Sequence, residues 1–316
     1  MPASQKGLLN HLYERKQKLI YIVKRLAYTL ECKSKSFRFI KLKSEVTTLK
    51  EKYELLCSLK VIEVEIAELA RYAKEFDGCY DLLKSKLDDL CAFINRKENI
   101  VKWDQWSGLE EVQELSQQLR ETSVNALCDV EKYQSIRAQQ VGLPVGQYVS
   151  SLAQSVRDEY DNFGIHSESN VLFIGSGAFP TTALTIAKET GADVICLDID
   201  QVAIELSRVV ARKSGLENQI TFLHGDIKAQ HDFQTITHVF IASLVKDKHE
   251  VIEVLKEKVW DGTKVIVRFG NGLKSIFNYP FNDMITGNWL QHAVPPENSD
   301  SIYETLVLEK ESKVLI

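Results

Sequence analysis

The sequence predicts an α/β protein in two parts: an all-helical N-terminal region, then a region built on an open, mostly parallel sheet with helices on both faces. Three observations carry this. No proline occurs between Pro2 and Pro144, and proline breaks helix interiors, so that long interval is free to be helical. Within it apolar residues recur at three- and four-residue steps, as in Val46, Leu49, Tyr53, Leu56 and again in Ile62, Ile66, Leu69, which is the period of an amphipathic helix. From Asn170 the pattern changes to short β-rich runs, "VLFIG", "DVICLD", "ITFLHG", "HVFIAS" and "KVIVRFG", alternating with helical stretches. That alternation is the pattern of parallel strands joined by crossover helices.

The two parts divide as 1–143 and 144–316. "VGLPVGQY" at 141–148 has the loop formers of a linker, and "SSLAQSVRDEYDNFG" after it reads as a helix ending at Gly164. Beyond the fifth strand, "NWLQHAV" and "IYETLVLEK" are separated only by the turn-rich "PPENSDS". So short a connection admits an antiparallel hairpin and excludes a crossover helix. Parallel strands closed by such a hairpin are the layout of the Rossmann-like, S-adenosylmethionine-dependent methyltransferase fold.

Composition narrows the function classes. A chain of 316 residues, 44% hydrophobic and 26% charged, can bury a substantial core. Its net charge of −5 speaks against a nucleic-acid partner, and the locally basic "ERKQKLIYIVKR" and "ECKSKSFRFIKLK" read as solvated helix faces. No apolar run approaches the roughly 18 to 20 residues of a membrane span. Met1 to Leu8 lack the apolar core of a signal peptide, so a cytoplasmic protein without a membrane partner is expected. The six cysteines include no C-x-x-C pair and read as buried free thiols. No two histidines share metal-ligand spacing, so His224 and His292 are expected to be structural and no metal is required.

The candidate ligand loop is "VLFIGSGAFP" at 171–180, a strand running into Gly175-Ser176-Gly177 and then a helix. Glycines there let backbone N–H groups and the helix terminus approach a ligand closely. Asp198 ends the second strand, where a carboxylate can accept hydrogen bonds from both ribose hydroxyls. These features fit a nicotinamide dinucleotide as well as S-adenosylmethionine. Pro180, standing where a dinucleotide site wants its third glycine, favours S-adenosylmethionine. Asp226 in "FLHGDI" closes the third strand and offers a carboxylate to an adenine amino group, or caps its own turn. Ile199 and Ile227 join the candidate donor set beside these carboxylates, and Ser243, just past the fourth strand, is placed to meet the donor through its backbone. Asp200 reads as the N-cap of the next helix.

These residues resemble a family, nicotianamine synthase and its bacterial relatives that make staphylopine-type opine metallophores. "FIGSGAFP" repeats the family's F-x-G-S-G-x-x-P, Pro180 included. "VFIASLVKDKHEVIEVL" at 239–255 is similar to its V-F-L-A-A-L-V-x-x-D-K, and "VIVRFGNGLKSIFNYP" at 265–280 to its L-x-L-R-S-x-x-x-x-R-x-F-L-Y-P. "PPENSDSIYETLVLEK" at 295–310 parallels its H-P-x-x-x-x-x-N-S-V-V-I-A-R-K. The matches are collinear and cover nearly the whole C-terminal half, whereas the N-terminal half matches only in helical character.

The resemblance implies transfer of the 3-amino-3-carboxypropyl group of S-adenosylmethionine to the amine of a free amino acid, histidine by analogy, with release of 5′-methylthioadenosine. It also implies an opine-type dehydrogenase that consumes the product. An amine must be uncharged to attack, so a positioned base is needed. The family supplies a glutamate and a tyrosine ahead of the nucleotide loop; Glu121 and Tyr148 are the best-placed pair here, although the family's F-P-Y-Y tetrad is reduced to Leu143-Pro144-Val145. Arg268 matches the family arginine and is expected to bind a carboxylate of donor or acceptor, with Tyr279 on the same wall and Lys274 a weaker candidate. An S-adenosylmethionine-dependent methyltransferase of a small molecule is the alternative, and a nicotinamide oxidoreductase or a non-catalytic binding module are further competitors.

Overall fold

The computed structural model describes residues 49–140, 162–231, 233–282, 289–292 and 301–311. Contacts divide the chain into Met1–Glu54 and Leu55–Ile316. In the first unit the described residues, 49–54, are helical. The second unit holds both the helical stretch to Gln140 and the sheet. The boundary expected at 143/144, the linker around it, and most of the helix expected before Gly164 lie outside the described residues.

The second unit opens with helices at 55–73 (α1), Cys79–Asn95 (α2), Lys97–Trp106 (α3) and Glu110–Gln140 (α4). Their apolar stripes meet in one core that includes Leu59, Ile66, Leu83, Leu90, Trp103 and Leu119. Leu273, Ile276 and Phe277, from the turn after the fifth strand, complete it. On α4 the buried residues Val112, Ser116, Leu119, Ser123, Ala126 and Val130 keep a three- and four-residue step, one face of a helix. Half of them are Ser or Ala, so the helix can pack closely while its other face is left for the cleft. Among the described residues no helix is long and apolar enough to cross a membrane.

The sheet follows as β1 (Asn170–Ile174), α5 (Thr181–Thr190), β2 (Asp193–Asp198), α6 (Gln201–Lys213), β3 (Ile220–His224), β4 (His238–Ile241), α7 (Lys248–Lys258), β5 (Lys264–Phe269), β6 (Trp289–His292) and β7 (Glu304–Lys310). Its spatial order is β3-β2-β1-β4-β5-β7-β6. The strands β1 to β5 are parallel; β7 is antiparallel to β5 and to β6. This is the Rossmann-like methyltransferase arrangement, with the terminal hairpin expected from "NWLQHAV" and "IYETLVLEK".

β1 shows why the centre of the sheet is so apolar. Val171 and Phe173 face one core with α5 and α6 residues, while Leu172 and Ile174 face the other with Ile252 and Leu255 of α7. A strand covered on both sides reads as a continuous apolar run, not an alternating one. Chain order reverses between β1 and β4, and in such sheets the ligand crevice opens there, past the carboxyl ends of the strands.

The thiols depart from expectation in part. Cys196 is buried, whereas Cys79, Cys91 and Cys128 are half-buried and Cys57 is exposed. On an amphipathic helix a cysteine can sit at the edge of the apolar stripe, and composition carries no information about that edge.

Candidate active site

A cavity of about 1030 Å³ lies over the switch point. Its lining includes every described residue proposed from the sequence for the donor, Gly175, Ser176, Gly177, Asp198, Ile199, Asp226, Ile227 and Ser243, together with Glu121, Arg268 and Tyr279. Tyr148 lies outside the described residues.

The donor loop is built by two left-handed glycines. Gly175 (φ 78°) and Gly177 (φ 71°) occupy backbone space that residues with a Cβ rarely adopt. A Cβ at Gly175 would come within 2.7 Å of Val245 Cγ2, and one at Gly177 would run into the Glu131 carboxylate. The Gly177 N–H donates to Asp198 Oδ2 at 2.8 Å and the Asp200 N–H to Asp198 Oδ1 at 2.9 Å. Asp198 thus locks the loop to the end of β2 as well as facing the cavity. Asp200 caps α6 through the Val202 and Ala203 N–H groups and pairs with Lys132 of α4 at 2.6 Å. Asp226 accepts from the Lys228 N–H at 2.8 Å, capping its own turn while lining the cavity. Ile199 is 78% exposed, an apolar surface offered at the cavity edge, whereas Ile227 is buried.

The opposite wall is α4. Glu121, Val124, Asn125, Cys128, Glu131 and Lys132 line the cavity at three- and four-residue steps, the face opposite the helix's packed stripe. Glu131 was not singled out by the sequence. Its carboxylate abuts Gly177, and the Ala178 N–H donates to it. Burial, and then the charge of Asp198, push its pKa up to about 8. A one-dimensional count from the glycine loop cannot find such a residue, because which turn of α4 meets the loop is a matter of tertiary packing and not of sequence separation. The available signal was helical phase: Glu131 follows Cys128 on the face that carries Glu121.

Glu121 sits at the other end of that face. It accepts a 2.9 Å hydrogen bond from the Tyr279 hydroxyl, and Lys246 Nζ stands 3.9 Å from its second oxygen. Burial, followed by the bond to Glu121, raises the Tyr279 phenol to about 12, so the phenol keeps its proton and acts as a donor. Tyr279 follows the turn that ends β5, and Arg120 anchors that turn to α4 by donating to the Ser275 carbonyl at 2.7 Å. Arg268 is buried, donates to Thr182 Oγ1 at 3.2 Å, and lies against the rings of Phe173, Phe240 and Tyr303. Lys274 donates to the Tyr303 carbonyl at 3.1 Å, and so holds the segment that carries Tyr303.

His224 and His292 have structural partners. His224 Nε2 lies 3.1 Å from the Ile199 carbonyl, and His292 pairs with Glu309 at 2.7 Å. Among the described residues no group of three or more His, Cys, Asp or Glu side chains is placed to hold a metal ion.

Fold and cleft define the class, a Rossmann-like domain of the S-adenosylmethionine-dependent methyltransferase type whose crevice is walled by a long helix. Within it, the chain belongs to the nicotianamine synthase family: residues 80–315 match the family model described as nicotianamine synthase protein. An L-histidine 2-aminobutanoyltransferase of Pseudomonas aeruginosa PAO1 is 38% identical over 256 residues, 81% of this chain and 97% of that protein. A Yersinia pestis protein of the same name is 32% identical over 259 residues, 82% of this chain and 96% of its own. The crystal structure of MtNAS in complex with MTA and tNA superposes with a TM-score of 0.65 at 18% identity, covering 80% of this chain and 97% of that one.

Proposed function

We propose that the protein transfers the 3-amino-3-carboxypropyl group of S-adenosylmethionine to the amine of histidine and releases 5′-methylthioadenosine. The observation that carries this is one continuous cavity, running from the glycine loop to the Glu121–Tyr279 pair and large enough for a nucleoside donor beside a free amino acid. The names of the curated relatives supply the donor group and the acceptor.

The glycine loop, whose left-handed turns let Val245 and Glu131 pack against it, receives the donor, Asp198 and Asp226 face its ribose and adenine, and Ile199 covers the base. Burial and the Asp198 charge raise the Glu131 pKa to about 8, and a cationic donor beside it favours its charged form, the proton passing to solvent. Arg268 faces a carboxylate by a charge-assisted contact. Glu121 takes a proton from the acceptor's ammonium group, and the amine lone pair then forms a bond to the γ-carbon. The γ-carbon to sulfur bond breaks with its pair going to sulfur, so the sulfonium leaves as a neutral thioether. Because the sulfonium is already a good leaving group, the step needs no metal. The product is a secondary amine carrying two carboxylates, and its class suits an opine-type dehydrogenase as the next enzyme.

Chromatography of the nucleoside product tests this against methyl transfer. 5′-Methylthioadenosine is expected, and S-adenosylhomocysteine as the main product would establish the methyltransferase alternative.

A further inference from the structure

We infer that Lys248 is a positioning residue for the acceptor side of the cleft, fixing by a single ammonium group the wall that presents Tyr279 and Glu121 to the donor loop. The inference rests on the transfer reading above and assigns Lys248 no contact with substrate.

Lys248 is 1% exposed and opens α7. That is a poor place for a cation twice over. Lysine is almost never fully buried unless its charge is compensated, and the positive end of the helix dipole lies at the first turn. Packing alone would favour an apolar side chain. Instead Nζ donates to the carbonyls of Ser243 at 2.9 Å, Val245 at 2.5 Å and Tyr279 at 3.3 Å. Burial, and then the Arg120 charge, lower its pKa to about 7; in the ammonium form it has three protons, and each finds one of these carbonyls.

Those carbonyls belong to two different segments. Residues 243–245 leave β4 and bring Val245 against Gly175 of the donor loop. Tyr279 follows β5, donates its N–H to the Ser243 carbonyl at 3.2 Å and its hydroxyl to Glu121. Lys248 therefore joins the segment that touches the donor loop to the one that carries the acceptor-side pair. Displacement at the reacting centre is steep in geometry, and a shift of about 1 Å from a remote change can slow a reaction about a hundredfold. A tie between the two walls is where such a shift would be set or prevented.

The test is a double-mutant cycle with S-adenosylmethionine and histidine, using Lys248→Met, Tyr279→Phe and the pair. Lys248→Met is expected to lower kcat by about tenfold or more while donor affinity stays within about threefold, and adding Tyr279→Phe to it should cost less than about threefold more. Costs that multiply, or wild-type turnover in Lys248→Met, overturn the inference. Lys248→Gln, which keeps two donors, runs the same cycle if the methionine variant does not fold. Amide exchange at Tyr279 gives a reading independent of activity: it is expected to quicken in either variant, and unchanged exchange overturns the inference. A wild-type protein that spends no donor instead sinks the transfer reading.

Discussion

Two glutamates on one helix face have different surroundings, and their substitutions should separate. Glu131 lies against the donor loop and Asp198, so Glu131→Gln is expected to weaken donor binding. Glu121 lies with Tyr279, so Glu121→Gln should leave donor binding intact and slow turnover about a hundredfold or more, the scale of a lost general base. Donor titration beside steady-state kinetics reads the difference, and the two variants behaving alike would merge the roles. Glu131 also links pH to stability. Its pKa rises from 4.5 to about 8 on folding, so its contribution is fullest below 4.5 and is lost as pH rises through about 8. Relative to Glu131→Gln, the Tm of the protein should fall as pH rises from about 4.5 to about 8 and level off above that; a Tm difference between the two that does not change with pH would remove Glu131 as a pH-linked group. At this scale the sequence showed residues tied to a strand end, such as Asp198 and Arg268, because strand and loop fix them together. It did not show Glu131, whose neighbours on the donor loop are distant in the chain, nor that Lys248, bonded locally to Ser243 and Val245, also reaches the Tyr279 carbonyl.

Among elements, α4 has two duties, since one face closes the helical core and the other walls the cleft. Leu119 is fully buried on the first face, and Leu119→Ala should destabilise the protein by about 2 to 5 kcal/mol in denaturant unfolding. A loss below the lower figure would mean that the core collapses around the gap. The donor loop is the second decisive element. Gly177→Ala meets both a left-handed φ of 71° and the Glu131 carboxylate, so donor binding should fall sharply in calorimetry while the fold persists; binding at wild-type strength would show that the loop does not need its glycine. The strands were legible because β1 to β5 are short, apolar and separated by helices of amphipathic period. The ends of the hairpin were less so: of "NWLQHAV" only Trp289–His292 lie among the described residues, and those form the edge strand β6.

For the molecule as a whole, helices and sheet belong to one unit from Leu55 onward, and the core shows why. Leu273, Ile276 and Phe277 of the sheet region complete the helical core, so the α4 wall and the sheet that carries the glycine loop are held by shared packing. Composition and punctuation could separate two grammars of sequence but could not show that they share a core. The central claim is that the bound sulfonium turns its four-carbon chain, and not its methyl group, toward the acceptor nitrogen. Two samples of S-adenosylmethionine, one carbon-13 labelled in the methyl group and one in the γ-carbon, each incubated with histidine, test it most directly. The γ-carbon label is expected in the histidine adduct and the methyl label in the released nucleoside; methyl label on histidine would contradict the account.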